Sequence, residues 1–400
     1  MEVVHCKDWL TISFGRPPED TFMPEILLFD DHHCSDLYPF HRIEGTESIR
    51  HGAFTQRERW ERMQPSLALP EGVNTLYINS RWIPNDADAT ALGRLTPSSA
   101  LVHQGIVLAK TKATDHLEGM DQLEIEATPD LLTHANDLFT RLEDRLLQDL
   151  SVLKEAWDLR PSSTETPTHV FGSAEDVWVA SCAQVRAATV DTTKGPVVIG
   201  PKAIIEAGSH LEGPLLVHEG ATVRMGACIK GATVIGPHCK VGGEVSNVHF
   251  QGWANKAHDG FLGNSVIGRW CNLGAGTQSS NLKNTYGEVR QWSFSSQCLQ
   301  PTGLQFCGLL MGDHSRCGIG STFNTGTVVG PGSVIFDAGF PPKHVPPFSW
   351  LNAKTGESQV QDLQKMMATS EKVMARRGLA LDDRSKANLS ALHAERALGG

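Results

Sequence analysis

The sequence predicts two architectures in series: an α/β amino-terminal domain, then an all-β left-handed parallel β-helix of hexapeptide repeats with a carboxy-terminal helix. Three observations predict this. Of 38 glycines, 26 fall between Gly195 and Gly339. Within that stretch a large aliphatic residue recurs every six positions. Ahead of it lie three strand-like runs separated by polar segments.

The repeat spans residues 177–335. Ile199, Ile205, Leu211, Val217, Val223, Ile229, Ile235 and Val241 keep the frame without a break. It resumes as Phe261, Ile267 and Leu273, and again as Met311, Cys317, Phe323, Val329 and Ile335. Gly or another small residue often follows, as in IGPHCK, IGRWCN, LGAGTQ and VGPGSV. An α-helix would give a period of 3.6 and a flat strand a period of 2. A period of six fits a triangular coil with three short strands per turn, each sending one aliphatic side chain inward. The corners need tight turns, where Gly and Asn tolerate positive φ. Stacked coils bury a continuous ladder, each capping its neighbour. The segment has room for about nine coils. Collagen's period of three is absent. Two breaks interrupt the frame: one between Val241 and Phe261, and the polar stretch 282–303. In solenoids such insertions leave the coil as loops.

The amino-terminal strands are EILLFDD, NTLYINS and SALVHQGIVLA, with GAFTQRERWERM as a helical candidate between them. Leu131, Ala135, Leu138, Leu142, Leu146, Leu150, Leu153 and Trp157 form one stripe, so a long amphipathic helix is expected over 129–158. PSSTETPTH (161–169) reads as a polar linker. LQKMMATSEKVMARRG reads as a helix stopped by Gly378, and the last 20 residues as loosely ordered. The expected domains are therefore 1–128, a helix and linker over 129–170, the β-helix over 171–347, and a helical tail over 348–400.

The net charge of −10 argues against a nucleic-acid partner. No basic run suits an anionic membrane, and no segment is apolar for long enough to span one. MEVVHCKDWL does not read as a signal peptide. Nine cysteines without a CxxC pair fit reduced thiols and a cytoplasmic location.

The window 255–281, NKAHDGFLGNSVIGRWCNLGAGTQSSN, carries chemistry. It resembles the acetyltransferase domain of the bacterial bifunctional enzyme that acetylates glucosamine-1-phosphate and then uridylylates it. The shared frame is H-x-x-aromatic-L-G (258–263), an Ile-Gly pair, N-[IL]-GAGT (272–277) and Asn281. The whole chain is similar to a GlmU-like family of sugar-nucleotidyltransferase-like proteins. These join a short, divergent transferase-like domain to the same β-helix. SSNLKN, TGLQFCGLLMGDHS, FNTGTVVG and EKVMARR fit that family.

The resemblance implies a role for each matching position. His258 is the catalytic base that takes the acceptor's proton during attack on the acyl thioester. Histidine suits that task because it titrates near neutral pH. Glu244 is the acidic residue that orients the base. Asn272 and Asn281 contact the sugar, and Ala275 lies along the pantetheine groove. Phe261 stands in place of the sugar-site tyrosine. Leu282 replaces a second tyrosine, with Lys283 and Tyr286 nearby as substitute substrate contacts. Ser246 replaces a phosphate-contacting lysine, so the phosphate end of the acceptor site is remodelled. The family also implies an acyl-CoA co-substrate, acetyl-CoA or another, and a homotrimer.

The amino-terminal domain lacks the Gly-rich phosphate loop of sugar-1-phosphate nucleotidyltransferases: FDDHHCSDLYPF follows its first strand. Asp30 and Asp31 are candidate Mg²⁺ ligands there, although Asp at a strand end is also an ordinary turn former. The leading expectation is an N- or O-acyltransferase acting on a sugar phosphate or nucleotide sugar, with a degenerate nucleotidyltransferase-like domain. A sugar-1-phosphate nucleotidyltransferase and a non-catalytic trimeric scaffold are the alternatives. A metal hydratase is disfavoured, because His238, His249 and His258 lie 11 and 9 residues apart rather than five.

Overall fold

The computed structural model describes residues 24–114, 116–161 and 169–397. The opening decapeptide and most of the 161–169 linker lie outside them. The described chain divides into two compact units. The first holds residues up to Leu37, Gly45–Arg50 and Phe54–Thr133; the second holds Tyr38–Glu44, His51–Ala53 and everything from His134.

In the first unit, strands Glu25–Phe29 and Thr75–Asn79 pair in parallel, residue for residue. Ile106–Lys110 joins antiparallel to Thr75–Asn79 and to Ser99–His103, so the run SALVHQGIVLA is a hairpin rather than one strand. Gly105, at φ +82°, sits in its turn, a conformation glycine reaches without a Cβ penalty. A fifth strand, Asp121–Glu124, completes the sheet; its polar sequence gave no signal. Helix Gln56–Met63 begins with a capping box between Thr55 and Glu58. It places Trp60 against Trp82 and a core of Leu76, Ile78, Leu92, Leu101 and Leu108.

The helix expected over 129–158 is shorter. Residues 130–132 are extended and hydrogen-bond beside 81–83, which takes them out of any helix. Helical structure starts as Asp137–Thr140 and, after a break at Arg141, runs as Leu142–Ala156.

The second unit is the left-handed β-helix. One face stacks nine rungs, from Val177–Ala180 to His344–Val345. Parallel registers give three inward ladders, one per face. The first runs Val179, Ile199, Val217, Ile235, Phe250, Ile267, Met311, Val329 and Val345. The second runs Val185, Ile205, Val223, Val241, Lys256, Leu273, Cys317, Ile335 and Leu351. The third runs Val170, Val190, Leu211, Ile229, Val245 and Leu262, and Ser279 pairs with Phe323 above it. The aliphatic members are almost completely buried except on the first coil, where Val170, Val179 and Val185 are partly buried.

Phe261 corrects that frame by one residue. It points outward, half-buried, while Leu262 takes the inward place. The slip is shared among three short coil edges, Val241 to Val245, Val245 to Phe250 and Leu262 to Ile267, so the frame shifts three times instead of once. The ladder also runs beyond Ile335, to Leu351.

One corner of the coil is lined by left-handed residues: Lys202, His238, Trp253, Trp270, His314 and Phe348 all have φ between 52° and 61°. The rings of His238, Trp253, Trp270 and His314 stack along it, with centroids 5.4–6.4 Å apart. Helix Leu363–Ala375 packs Met366 and Met374 with Trp270 and Phe348. Residues 381–397, expected to be loosely ordered, are not loose; the last three residues lie outside the described ones. Asp383–Ala397 is a helix that buries Leu389 and Leu392 in the same cluster. Stretch 282–303 leaves the coil as expected and carries a small hairpin, Arg290–Ser293 with Cys298–Pro301.

Candidate functional site

The β-helix brings four of the sequence-predicted residues, Glu244, His258, Phe261 and Ala275, to one corner between its second and third faces. His258 follows the short strand Asn255–Lys256 and precedes Phe261–Ile267, where the coil is one residue tight. It is exposed. Its backbone is fixed from inside, because Lys256 Nζ donates to the His258 carbonyl at 2.5 Å and to the Gly242 carbonyl at 3.2 Å. One coil earlier, Glu244 N donates to Gly260 O at 3.3 Å, and Glu244 lies in register with Phe261. One coil later, Gly276 N donates to Asp259 O, which sets Ala275 on the same edge. The corner can lie this close to its neighbour because Gly243, at φ +78°, has no side chain. A Cβ there would meet Gly260 O at 2.8 Å and His258 O at 3.0 Å.

Glu244 does not bond to the His258 ring. Its Oε1 accepts from Lys230 Nζ at 3.0 Å, an ion pair in which both partners are at least 40 % exposed. Lys230 is the residue that sequence reading missed. It lies in register with Ser246, so a cation stands one coil below the position where the resembling enzyme keeps its lysine. The only sequence signal was the register of a shortened coil, which sets the two 16 positions apart. Lys230, Ser246, Lys194, Glu212 and Glu143 line an open cleft of about 730 Å³ on this face.

The remaining residues are more scattered. Asn272 is exposed on the second face, paired in register with Asn255 below and Arg316 above. Asn281 sits at the far end of the third face, where its Nδ2 donates to Asn264 Oδ1 at 2.7 Å. Asn264 in turn donates to Asn247 at 2.9 Å, with the Asn247 amide turned so that its oxygen accepts. Three asparagines on successive coils thus form a ladder, and the Asn281 amide is part of it. Lys283 and Tyr286 lie on the excursion from the coil. Lys283 donates to the Glu288 carbonyl, and Tyr286 is 69 % exposed.

His238, His249 and His258 do not converge. The first stacks on Trp253 at a different corner, and His249 is buried beside Gln251. Among the described residues, one His/Asp/Glu group has metal-ligand spacing: Asp191, His210 and Glu212. There Thr193 donates twice to Asp191, and Lys194 pairs with Glu212 at 3.0 Å. Among the described residues the eight cysteines form no disulfide. No described helix is long and apolar enough to cross a membrane.

In the first unit, a cleft of about 400 Å³ opens at the carboxyl end of strand Glu25–Phe29. It is lined by Asp30, Asp31, His32, His33, Gln104 and Lys110, among others. The carboxyl end of a parallel strand is where open α/β sheets bind ligands. Asp31 takes a two-pronged bond from the nearly buried Arg81, Nε to Oδ1 at 2.8 Å and Nη2 to Oδ2 at 2.6 Å, and a third bond from Asn79 at 2.9 Å. Burial alone would raise its pKa, but the Arg81 and Asn79 bonds and the Arg81 charge outweigh it and hold the carboxyl below its usual value. Asp30 Oδ1 accepts from Ser80 at 2.5 Å. These two carboxylates therefore do not fit the expected Mg²⁺ site. A cation would have to displace an arginine held on three sides, since Arg81 Nη1 also donates to the Leu132 carbonyl at 3.0 Å.

A family model described as sugar nucleotidyl transferase matches residues 26–157. The bifunctional protein GlmU of Pseudomonas fluorescens Pf-5 is 37% identical over 81 residues, 20% of this chain and 18% of that protein. GlmU of Stutzerimonas stutzeri A1501 is 30% identical over 128 residues, 30% of this chain and 26% of that protein. The chain thus spans about a quarter or less of the curated relatives it matches. Among solved structures, the polysialic acid O-acetyltransferase OatWY superposes with a TM-score of 0.25 at 12% identity, covering 49% of this chain and 85% of that one. The N-acyltransferase AntD of Bacillus cereus gives 0.23 at 9%, covering 57% and 96%. Superpositions at this level carry no functional argument.

Proposed function

We propose that this chain, a GlmU-like two-domain protein with a sugar nucleotidyl transferase domain ahead of a hexapeptide β-helix, is an acyl-CoA-dependent transferase. It moves an acetyl or other acyl group to the amine or hydroxyl of a sugar phosphate or nucleotide sugar. The observation that carries this reading is the corner between the second and third faces, where the coil below is shortened to four residues between Val241 and Val245. There an exposed histidine with a fixed backbone stands next to Ala275 on one side and to the Glu244–Lys230 pair on the other.

In this reading His258 takes the proton of the acceptor as it attacks the thioester carbon, and coenzyme A leaves as the thiol. Lys230 faces the acceptor's phosphate in place of a cation at Ser246, and Glu244 sets the position of that ammonium. Ala275 leaves room for the pantetheine arm. Phe261, half-buried beside Glu244, offers a ring face to the sugar, while Asn272, Lys283 and Tyr286 are substrate contacts from the neighbouring surface. Asn281 contributes by holding the asparagine ladder. The active unit is a homotrimer, with the corner facing a neighbouring copy.

Purified protein screened with acetyl-CoA and a panel of amino-sugar phosphates and nucleotide sugars, following free thiol, tests the reading. Acceptor-dependent thiol release supports it; no release across the panel, from a protein that is trimeric by light scattering, counts against it.

A second reading is favoured by one observation, the family match over residues 26–157 together with the cleft at Asp30 and Lys110. It makes the first unit a sugar-1-phosphate nucleotidyltransferase. Its test is pyrophosphate release from a nucleoside triphosphate and a sugar-1-phosphate. Arg81 on Asp31 argues against this second reading, because it occupies a carboxylate that a metal-dependent nucleotidyl transfer would use.

A further inference from the structure

Lys256 stands in the second inward ladder, between Val241 below and Leu273 above. Every other member of that ladder, from Val185 to Leu351, is apolar. The side chain is 1 % exposed. An ammonium in such a place costs several kcal/mol unless it is fully hydrogen-bonded, so an aliphatic residue would serve the coil at least as well. The ladder frame does not require it either, since Phe250, Lys256 and Leu262 keep the six-residue spacing that an isoleucine would satisfy.

The placement of its ammonium explains the choice. The side chain runs inside the coil toward the corner and donates to two carbonyls, Gly242 O on the coil below and His258 O on its own coil. It therefore ties the two coils together at the turn that displays His258. Burial pulls its pKa down to about 8, while Asp259 and Cys317 act the other way, so it stays largely cationic at neutral pH. The backbone bonds from the coil below flank His258 without reaching it: Gly242 N donates to Lys256 O at 2.7 Å and Glu244 N to Gly260 O. Gly243 supplies no side chain, and the bond from Glu244 N to Gly260 O is long at 3.3 Å.

We propose that Lys256 is a positioning residue for the transfer reaction, holding the backbone of His258 from inside the β-helix so that the imidazole meets the acceptor in one orientation. This rests on His258 being the base. The ammonium touches neither substrate. A displacement of a catalytic group by about 1 Å is enough to cost on the order of 10²-fold in rate, and the tie acts at that scale.

The experiment compares wild type, Lys256→Met, Lys256→Gln, His258→Ala and the Lys256→Met/His258→Ala double variant. Each is assayed for thiol release from acetyl-CoA with the best acceptor of the panel, and for thermal unfolding. Methionine fills the ladder and removes the donor; glutamine keeps a shorter donor. Lys256→Met is expected to lose about 10–100-fold in kcat, with the KM for acetyl-CoA within about twofold and a melting temperature equal to or above wild type. Lys256→Gln should fall between the two, and it carries the test if the methionine variant does not fold. The double variant should be no slower than His258→Ala alone, because the lysine acts through the histidine.

Wild-type kcat in Lys256→Met beside a crippled His258→Ala overturns the inference and leaves the function standing. Losses that multiply in the double variant overturn it too, as does a kcat loss matched by a fall in melting temperature in both lysine variants. An unimpaired His258→Ala is the separate failure of the function itself.

Discussion

Replacing Arg81 with methionine tests the reading of the amino-terminal cleft. The arginine is 2 % exposed and donates three side-chain bonds, two to Asp31 and one to the Leu132 carbonyl. Breaking a buried ion pair from one side costs about 3–5 kcal/mol. Asp31 keeps Asn79 and the His33 N–H, so the lower end, about 3 kcal/mol, is expected. For a unit of this size that is a fall of roughly 10–15 °C in its own melting transition. The pH dependence has a definite sign. The folded-state pKa of Asp31 is lowered, so the pair contributes fully above the unfolded value of about 3.9 and is lost as pH falls through the lower folded value. Calorimetric scans of wild type and Arg81→Met should differ by a constant gap from neutral pH down to about pH 5, and the gap should close below about pH 4. A fall of less than about 2 °C at pH 7 would refute the reasoning. So would a wild-type transition that Mg²⁺ raises by way of Asp31.

Two further outcomes follow from the coil. Gly243→Ala puts a methyl against Gly260 O and His258 O at a left-handed φ, so it should cost about 1–2 kcal/mol in stability and abolish most thiol release, read by unfolding and assay on one preparation. Asn264→Ala removes the middle of the asparagine ladder and should cost about 1–3 kcal/mol by denaturant unfolding, with the effect on transfer confined to the acceptor KM.

The fold was legible where one physical rule acts alone. Ile199 to Val241 obeys the six-residue frame because each of those residues fills the same kind of site, an inward rung between two others. Phe261 misled by one place because three short coil edges share the slip, and periodicity cannot say where a slip falls. Lys256 stayed hidden for a related reason, since a charged residue in a ladder position looks like a gap in the pattern. The helix over 129–158 was overestimated because Leu131 and Ala135 continue the stripe by chance, while backbone bonds beside 81–83 hold the chain extended. Asp383–Ala397 was underestimated because its apolar contacts are sparse and come from packing on the aromatic corner. At the site, the motif around His258 located the corner, and the register then supplied Lys230. The carboxylate pair Asp30–Asp31 read as a cation site only because Arg81, 50 residues away in sequence, gives no local sign of its partner.

The central proposal is that the corner between the second and third faces of the β-helix performs acyl transfer with His258 as base. Its most direct test is His258→Ala, with kcat measured by thiol release on the acceptor that wild type uses and acetyl-CoA affinity measured by calorimetry. A loss of about 10²–10⁴-fold in kcat is expected, with acetyl-CoA affinity within about twofold and an unchanged melting temperature, since the residue lies outside the ladders. Wild-type kcat in the folded variant would contradict it.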